Sequence, residues 1–368
     1  MRNILLTPGP ATTTNTVKEK MVLDKWHRTD DFVGVVKSIR KDLVRMAKGK
    51  YKEHTAVLFG SSGTGAMEAC MCSIPRDKDS TGVFNSCSVT LSNGMYGDRF
   101  GSIANYLNIR NEHKRVHTKC ELDIEWLDTF LRSVPDVSAV FMTHHETSTG
   151  RLNDIKRVKN VVKKYNVPLV VDCISSFSAV PVSLSDADYI IGTANKCIQG
   201  MSGISFVICS KDHLKDIKWN SQSYYFNLGQ QHAFFEKTGQ FRFTPPVQVI
   251  YALRQALDEL FKEGINNRYK RYVRNWEMLV NGMHSAGFKS YFDDSVPRSK
   301  ILETFYYLQH KNFDFIQFKK LLYEKGYTIY DGAIKDTFRV CNIGDINGVD
   351  ISSFLLVMDV VLKKMGIE

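Results

Sequence analysis

From about residue 54, short apolar runs rich in β-branched residues alternate with segments of helical periodicity. This alternation predicts a sheet covered by helices, and the fold class is therefore α/β. The predicted helix at residues 153–165 shows the pattern, because Ile155, Val158, Val161 and Val162 recur at the spacing of one helix face. The predicted strands are residues 55–59, 139–143, 168–171, 189–191 and 204–209.

The pattern changes after Pro245 and Pro246, where two long helical segments, residues 247–263 and 267–286, replace the alternation. A chain of 368 residues is long for one compact domain, so two domains sharing an interface are expected. The other elements predicted there are a strand at 305–308, a helix near 313–325, a strand at 338–341 and a helix from 351. The predicted domains are an N-terminal segment of residues 1–15, a large domain of residues 16–245 and a smaller α+β domain of residues 246–368.

The formal net charge of +10 raises the question of nucleic-acid binding, but the Lys and Arg residues are dispersed along the chain. The densest basic run, residues 37–52, has Ile39, Leu43, Val44 and Met46 at helical spacing. It predicts an amphipathic helix with a solvated basic face. We therefore expect no nucleic-acid partner. An excess of basic over acidic residues does suit acidic small-molecule substrates.

Neither export nor membrane insertion is indicated by the apolar pattern. No apolar run approaches the roughly 20 residues that span a bilayer, and Pro8 interrupts the N-terminal apolar stretch too early for a secretory signal. The eight cysteines are scattered without a CxxC pair, which indicates reduced, mostly buried thiols. We expect a cytoplasmic protein with no membrane partner.

The first motif with chemical potential follows the strand at residues 55–59, in the run Gly60-Ser61-Ser62-Gly63-Thr64-Gly65. Glycine lets the backbone approach an anion closely, the hydroxyl groups are donors, and the free N–H groups of a helix start favour negative charge. Such turns are common, and about half of them bind nothing. The run also lacks the Gly-Lys-Ser/Thr ending of a Walker loop.

Asp172 is the second feature, because it ends the apolar run Val170-Val171. A buried carboxylate is unfavourable unless it has a charged or hydrogen-bonding partner. In an open α/β sheet, this edge is also where ligands bind. The alternative is that Asp172 caps a following helix.

Lys196 is the third feature, and it follows an apolar strand in a turn of small residues, Gly192-Thr193-Ala194-Asn195. A lysine amine that is desolvated in such a turn becomes nucleophilic. A surface lysine is the usual alternative. It is weaker here because the segment has few charges and lies one strand beyond Asp172.

Taken together, these motifs and their order resemble the class V aminotransferases of fold type I, which use pyridoxal 5′-phosphate (PLP). The resemblance runs from Leu5 to the C-terminal helix, and it is greatest to members that transfer the amino group of 2-aminoethylphosphonate to pyruvate. The segments that support it are Leu6-Thr7-Pro8-Gly9-Pro10, Ser92-Asn93-Gly94-Met95-Tyr96-Gly97, Glu146-Thr147-Ser148-Thr149-Gly150, Ala194-Asn195-Lys196-Cys197-Ile198-Gln199-Gly200 and Arg242-Phe243-Thr244-Pro245.

The resemblance implies a large domain with a mostly parallel seven-stranded sheet flanked by helices, beside the smaller C-terminal α+β domain. It places the N-terminal segment near the active site. It also implies a homodimer whose two chains share their active sites.

The resemblance assigns roles to individual residues. Lys196 would bind the cofactor covalently and move a proton between substrate and cofactor, while Asp172 would keep the pyridine nitrogen protonated. Arg339 would bind the substrate's acid group, because a planar guanidinium suits carboxylate or phosphonate. Apart from the resemblance, we expect Arg28 to share the extra charge of a phosphonate. The other cofactor-binding residues implied are Ser62, Gly63 and Thr64 at the phosphate, Tyr96 against the ring, Thr147 at the ring hydroxyl, Thr244 across the dimer interface, and Ile174 and Asn195 beside the two catalytic residues.

Two segments depart from the family pattern. The chain has Trp26-His27-Arg28-Thr29-Asp30-Asp31 where close relatives usually carry a Thr-Trp-Asp-like run, and this leaves the amino donor open. The stretch at residues 79–89 is longer than in the family. We expect an altered surface loop there, with a polar, turn-rich part at residues 78–85, and no change in chemistry.

The expected reaction is transfer of the amino group from 2-aminoethylphosphonate to pyruvate, which gives phosphonoacetaldehyde and L-alanine. The enzymatic alternatives are alanine–glyoxylate or serine–pyruvate exchange, and a PLP lyase acting on a related phosphonate. A non-catalytic PLP-binding protein is disfavoured by the joint presence of Lys196, Asp172 and Arg339. A cysteine desulfurase is disfavoured because that group has His where this chain has Asn195.

Two other features have simpler explanations. The run His144-His145-Glu146 offers metal-ligand types, but neighbours on a strand point to opposite faces and do not readily chelate one ion. No metal is therefore expected. Cys197 lies beside Lys196, and a buried core cysteine is a better explanation than a reactive thiol.

Overall fold

The computed structural model describes residues 3–74, 86–215, 217 and 221–367. The polar stretch at 78–85 and most of the longer loop expected at 79–89 lie outside the described residues. Residues 87–89, expected at the end of that loop, instead lie in a strand.

Fourteen strands are present in the part of the chain that the structure describes. Seven of them form one large sheet, and three form a smaller sheet near the C-terminus. The strands are β1 (Ile4–Leu5), β2 (His54–Phe59), β3 (Cys87–Ser92), β4 (Asn111–Arg115), β5 (Val137–Thr143), β6 (His145–Glu146), β7 (Arg151–Leu152), β8 (Leu169–Asp172), β9 (Tyr189–Thr193), β10 (Ser205–Ser210), β11 (Leu302–Tyr306), β12 (Tyr327–Thr328), β13 (Tyr330–Asp331) and β14 (Thr337–Cys341).

Eleven α-helices occur in the described residues, together with a short 3-10 helix at Asp212–Leu214. The α-helices are α1 (Asn15–Glu19), α2 (Asp30–Met46), α3 (Gly63–Ser73), α4 (Met95–Tyr106), α5 (Ile124–Ser133), α6 (Ile155–Lys164), α7 (Leu228–Thr238), α8 (Val247–Glu263), α9 (Ile265–Ser285), α10 (Phe315–Glu324) and α11 (Gly348–Lys364).

The large sheet has the strand order β2-β10-β9-β8-β5-β3-β4. Only β10 runs against its neighbours β2 and β9, and the other six strands share one direction. The predicted, mostly parallel seven-stranded sheet is therefore confirmed. Its central strands β8 and β9 are buried along their whole length, as expected where helices cover both faces.

The helix termini follow from local sequence. Asp154 accepts hydrogen bonds from the first N–H groups of α6, and the four apolar positions predicted to face the sheet are buried. The basic helix predicted at residues 37–52 is shifted. It starts after Thr29, whose hydroxyl accepts the Phe32 N–H, and it ends before Lys48, where φ is +56°. The prediction placed this helix too late because it followed the basic run and overlooked the cap.

The second part of the structure packs around a separate apolar cluster. Helices α9, α10 and α11 cover the three-stranded sheet β11-β14-β13, with Phe305, Phe338 and Phe354 at the centre. The N-terminal strand β1 pairs with β12, so the start of the chain belongs to this part. Helix α8 packs instead in the core of the large sheet. The predicted domain limits at residues 15 and 245 stay predictions.

No described helix is long and apolar enough to cross a membrane. All eight cysteines are free thiols, and all except Cys120 are buried. Within the described ranges, no group of three or more His, Cys, Asp and Glu side chains is arranged to hold a metal ion.

Candidate active site

The candidate residues meet at one edge of the large sheet. Because β2, β3, β5, β8 and β9 run in the same direction, their carboxyl ends lie side by side. This edge is where ligands bind in open α/β sheets. It brings together the turns that follow these strands, which contain most of the residues proposed above.

Lys196 lies in a tight turn after β9. The turn is closed by the Gly200 N–H, which donates to the Ala194 carbonyl at 2.8 Å, and by the Gln199 N–H, which donates to the Lys196 carbonyl at 2.9 Å. The Lys196 Nζ donates to the Pro8 carbonyl at 2.5 Å. Burial lowers the pKa of the Lys196 amine below its usual value, which favours the uncharged, nucleophilic form.

Gly9 lies directly against the Lys196 side chain. Its φ is +131°, a conformation that favours glycine, and a Cβ atom there would collide with the lysine amine. The backbone of the N-terminal segment can therefore approach the amine because this residue has no side chain.

Asp172 ends β8, with Thr143 of β5 on one side and Ile191 of β9 on the other. Its carboxylate accepts the Ile174 N–H at 2.8 Å. Burial raises the pKa of Asp172 to about 7, and the Ile174 bond only partly opposes this effect. No helix lies between β8 and β9, so the alternative that Asp172 caps a helix is wrong.

The start of α3 is available to an anion. Ser62 is the N-cap residue, but its side chain makes no capping hydrogen bond, and the first turn contains no acidic residue. Gly63 packs against Ile174, and a Cβ on Gly63 would lie 2.6 Å from the Ile174 Cδ1. The unused N–H groups and the Ser62 hydroxyl therefore favour a negatively charged ligand.

Glu146 holds the start of α4 and was missed by the sequence analysis. Its buried carboxylate accepts the N–H groups of Tyr96 at 3.3 Å and Gly97 at 2.9 Å, and both the N–H and the hydroxyl of Ser148, at 3.1 and 2.5 Å. Glu146 thereby joins the helix that carries Tyr96 to the turn that contains Thr147. The available signal was an acidic residue three positions after the apolar strand that ends at Thr143.

Arg339 lies on β14 and is only 2% exposed. Its Nε and Nη2 donate to the Asp331 carbonyl at 2.9 and 2.7 Å, and its Nη1 donates to the Thr147 carbonyl at 2.9 Å. Among the described residues, no carboxylate lies within ion-pair distance of this guanidinium. Since a guanidinium has five N–H groups, two remain for an acidic ligand.

Three other predicted residues are Asn195, Arg28 and Thr244. Asn195 accepts the Thr193 hydroxyl at 3.0 Å and, through its carbonyl, the Ala11 N–H at 3.1 Å. Arg28 and Thr244 are exposed, and Arg28 donates to the side chain of Gln240. The described contacts of a single chain do not connect either of them to Lys196 or Asp172.

These residues fit PLP, the cofactor implied by the resemblance. The amine of Lys196 suits its aldehyde, the buried carboxylate of Asp172 suits a protonated pyridine, and the start of α3 suits its phosphate. Each of these groups lacks a protein partner that fully satisfies its charge or its hydrogen-bonding capacity.

Comparisons with known proteins agree with this arrangement. The family model described as "Aminotransferase class-V" matches residues 25–334. A 2-aminoethylphosphonate–pyruvate transaminase of Phocaeicola vulgatus is 39% identical over 367 residues, which cover 98% of this chain and 99% of that protein.

Solved structures confirm the fold. A ureidoglycine–glyoxylate aminotransferase of Bacillus subtilis superposes with a TM-score of 0.87 at 20% identity, covering 100% of this chain and 95% of that one. A PLP-bound phosphoserine aminotransferase of Trichomonas vaginalis gives a TM-score of 0.74 at 15% identity, covering 97% of this chain and 100% of that one. The chain belongs to the class-V aminotransferases.

Proposed function

We propose that this chain transfers the amino group of 2-aminoethylphosphonate to pyruvate, producing phosphonoacetaldehyde and L-alanine. It is an aminotransferase and its cofactor is PLP. The substrate proposal is supported by the relative that is 39% identical over nearly the whole of both chains. The structural observation that carries it is the buried Arg339, which has no carboxylate partner among the described residues and two N–H groups left for an acid.

The residues of the chain have separate roles in the reaction. When bound, PLP supplies a ring that withdraws electrons from the substrate carbon. Lys196 would hold the cofactor and then carry the proton that leaves the substrate carbon, a role that its lowered pKa favours. Asp172 would keep the pyridine nitrogen protonated. Burial raises its pKa, and a pyridinium beside it would stabilise its ionised form.

Arg339 would serve both half-reactions. A phosphonate on the donor and a carboxylate on the acceptor can each take up the two remaining N–H groups in turn. The Asp331 and Thr147 carbonyls fix the plane of the guanidinium, so its donors are already oriented before substrate arrives.

We also propose a homodimer, in which Thr244 and Arg28 of one chain complete the site of the other. Both residues are exposed, and apolar side chains near them are exposed as well. Trp26 is 65% exposed and Tyr224 is 78% exposed, which is unusual for large rings unless another surface covers them. We place the enzyme in the cytoplasm, because its eight cysteines are all free thiols.

An amino-donor screen tests the reaction. Purified protein is incubated with PLP, pyruvate and each of 2-aminoethylphosphonate, serine and alanine, with glyoxylate as a second acceptor, and the products are quantified. We expect alanine to form from pyruvate with 2-aminoethylphosphonate as the preferred donor, and no turnover by Lys196→Ala. Turnover of serine or of alanine with glyoxylate, without turnover of 2-aminoethylphosphonate, would contradict the proposed substrate.

A further inference from the structure

Arg99 contacts two of the proposed cofactor-binding residues. It lies on α4 one turn after Tyr96, and its Nη1 donates to the Thr64 Oγ1 at 3.0 Å. Its guanidinium carbon lies 4.7 Å from the centre of the Tyr96 ring, within the range of a cation–π interaction. Arg99 therefore links the start of α3, where the phosphate is expected, to the ring expected against the cofactor.

Arg99 makes no ion pair within the described part of the protein, although its charge acts at longer range to lower the pKa of Asp172. No described carboxylate lies within ion-pair distance, although the side chain is half-buried. The neighbouring Asp98 is engaged elsewhere, since it accepts the Ser92 hydroxyl at 2.7 Å and pairs with Arg115 at 3.1 Å and His113 at 3.4 Å. A half-buried cation without a nearby counter-ion is unfavourable. A bound anion would therefore stabilise Arg99 at this position.

The position of Arg99 is fixed by α4. Residues three apart on a helix lie on the same face, so the helix presents Tyr96 and Arg99 together. Glu146 anchors the first N–H groups of this helix. The guanidinium is therefore held at the α3 start by the same element that orients the Tyr96 ring.

We propose that Arg99 supplies the positive charge of the phosphate site and holds the Tyr96 ring in place. Its guanidinium would bind the phosphate of PLP beside the Ser62 hydroxyl and the N–H groups of α3, using donors that the Thr64 contact leaves free. The Thr64 hydroxyl accepts from only one of the five N–H groups of the Arg99 guanidinium. The proposal rests on PLP as the cofactor and is independent of which amine is the donor.

A comparison of PLP with pyridoxal tests the role of the charge. Pyridoxal has the same ring and aldehyde but no phosphate, so it should form the same adduct with Lys196 without using Arg99. Protein freed of cofactor is titrated with each compound, and the adduct is followed by visible absorbance. The variants are Arg99→Gln, which removes the charge, and Arg99→Lys, which keeps a point charge without the planar fork.

We expect Arg99→Gln to weaken PLP binding about 10- to 100-fold, as for loss of a charge-assisted hydrogen bond, and to change pyridoxal binding less than about threefold. Arg99→Lys should give an intermediate PLP affinity. Arg115→Gln is the matched control, because it removes a positive charge from a residue that pairs with Asp98 of the same helix but is 65% exposed. It should leave both affinities unchanged.

Two results would overturn the proposal. An equal loss of PLP and pyridoxal affinity would show that Arg99 acts only on the shape of the site, and unchanged affinities for both compounds in both variants would show no role at all. Thermal unfolding of the cofactor-free variants identifies a folding defect. If Arg99→Gln does not fold, the ratio of PLP to pyridoxal affinity is measured on Arg99→Lys instead. Normal PLP binding by the wild type without turnover of 2-aminoethylphosphonate would refute the substrate and leave this proposal intact.

Discussion

The Nζ of Lys196 donates a hydrogen bond of 2.5 Å to the backbone carbonyl of Pro8, a residue 188 positions away in the sequence. Because β1 pairs with β12, the segment that carries Pro8 belongs to the C-terminal part of the structure. Its carbonyl contacts an amine at the edge of the large sheet. The two parts of the chain therefore meet at the reactive amine.

Lys196→Ala should abolish covalent attachment of the cofactor. The purified wild type should be yellow, and borohydride should trap PLP on Lys196, whereas the alanine variant has no amine at this position. The trapped adduct is located by mass spectrometry of peptides. Trapping on the Lys196→Ala protein at the wild-type level would refute the assignment.

Asp172→Asn should keep PLP bound and lose most of its turnover. An amide carries no charge and does not favour the protonated pyridine. The measurement is a single-turnover assay alongside PLP affinity. Near-normal turnover would mean that Asp172 serves only to accept the Ile174 N–H.

The same substitution should change the pH dependence of stability in the cofactor-free protein. With a folded pKa of about 7 against an ordinary value of 3.8, the folded wild type keeps a proton that the unfolded chain releases, so its free energy of unfolding falls as pH rises between these values. Asparagine does not titrate. We expect Asp172→Asn to gain about 2–3 kcal/mol relative to wild type between pH 5 and pH 8 in urea unfolding. A constant difference would show that Asp172 is not shifted.

Arg339→Lys should weaken both half-reactions while leaving PLP bound. Lysine cannot bridge the Asp331 and Thr147 carbonyls and still present two donors, and loss of such a contact corresponds to about 1.5–3 kcal/mol, or roughly ten- to more than a hundredfold in kcat/KM. Each half-reaction is followed by the cofactor's absorbance. Arg132→Lys, on an exposed helix face, is the control. Unchanged kinetics for both substrates would remove Arg339 from the site.

Thr244→Ala tests the shared site. If Thr244 serves the neighbouring chain, Thr244→Ala alone should weaken PLP binding, but a mixed dimer with Lys196→Ala should regain one site of wild-type affinity. That site combines the Lys196 of one chain with the Thr244 of the other. A mixed dimer without any normal site, or a fully active monomer on dilution, would contradict the proposal.

The strands that surround the site were predictable because they are apolar. Residues of β5, β8, β9 and β10 form nearly continuous buried runs. Strands β5 and β9 extend two residues beyond the predicted limits, and β8 and β10 begin and end one residue later than predicted. Strands β3 and β4 were missed. The first reads Cys-Ser-Val-Thr-Leu-Ser and the second is entirely polar, as suits an exposed edge, so neither shows the apolar signal.

Candidate site residues are visible in the sequence where the chemistry is local and hidden where a contact depends on packing. Lys196 and Asp172 each follow an apolar strand and can be found from their neighbours. The contacts of Glu146 and Arg99 arise because α4 lies beside β6 and the start of α3, and nothing within their own segments specifies that packing. Arg28 was proposed as a further basic group for a phosphonate, and its one described contact is with Gln240.

The strand order of the large sheet also determines when the enzyme can first fold. Strand β2 lies at the edge of the sheet and pairs with β10, whose last residue is Ser210. During synthesis, more than half of the chain must leave the ribosome before β2 finds its partner. Until then its apolar edge is open to other chains, because pairings this distant in sequence form slowly. This enzyme should therefore depend on protection during translation more than a protein whose neighbouring strands follow one another in sequence.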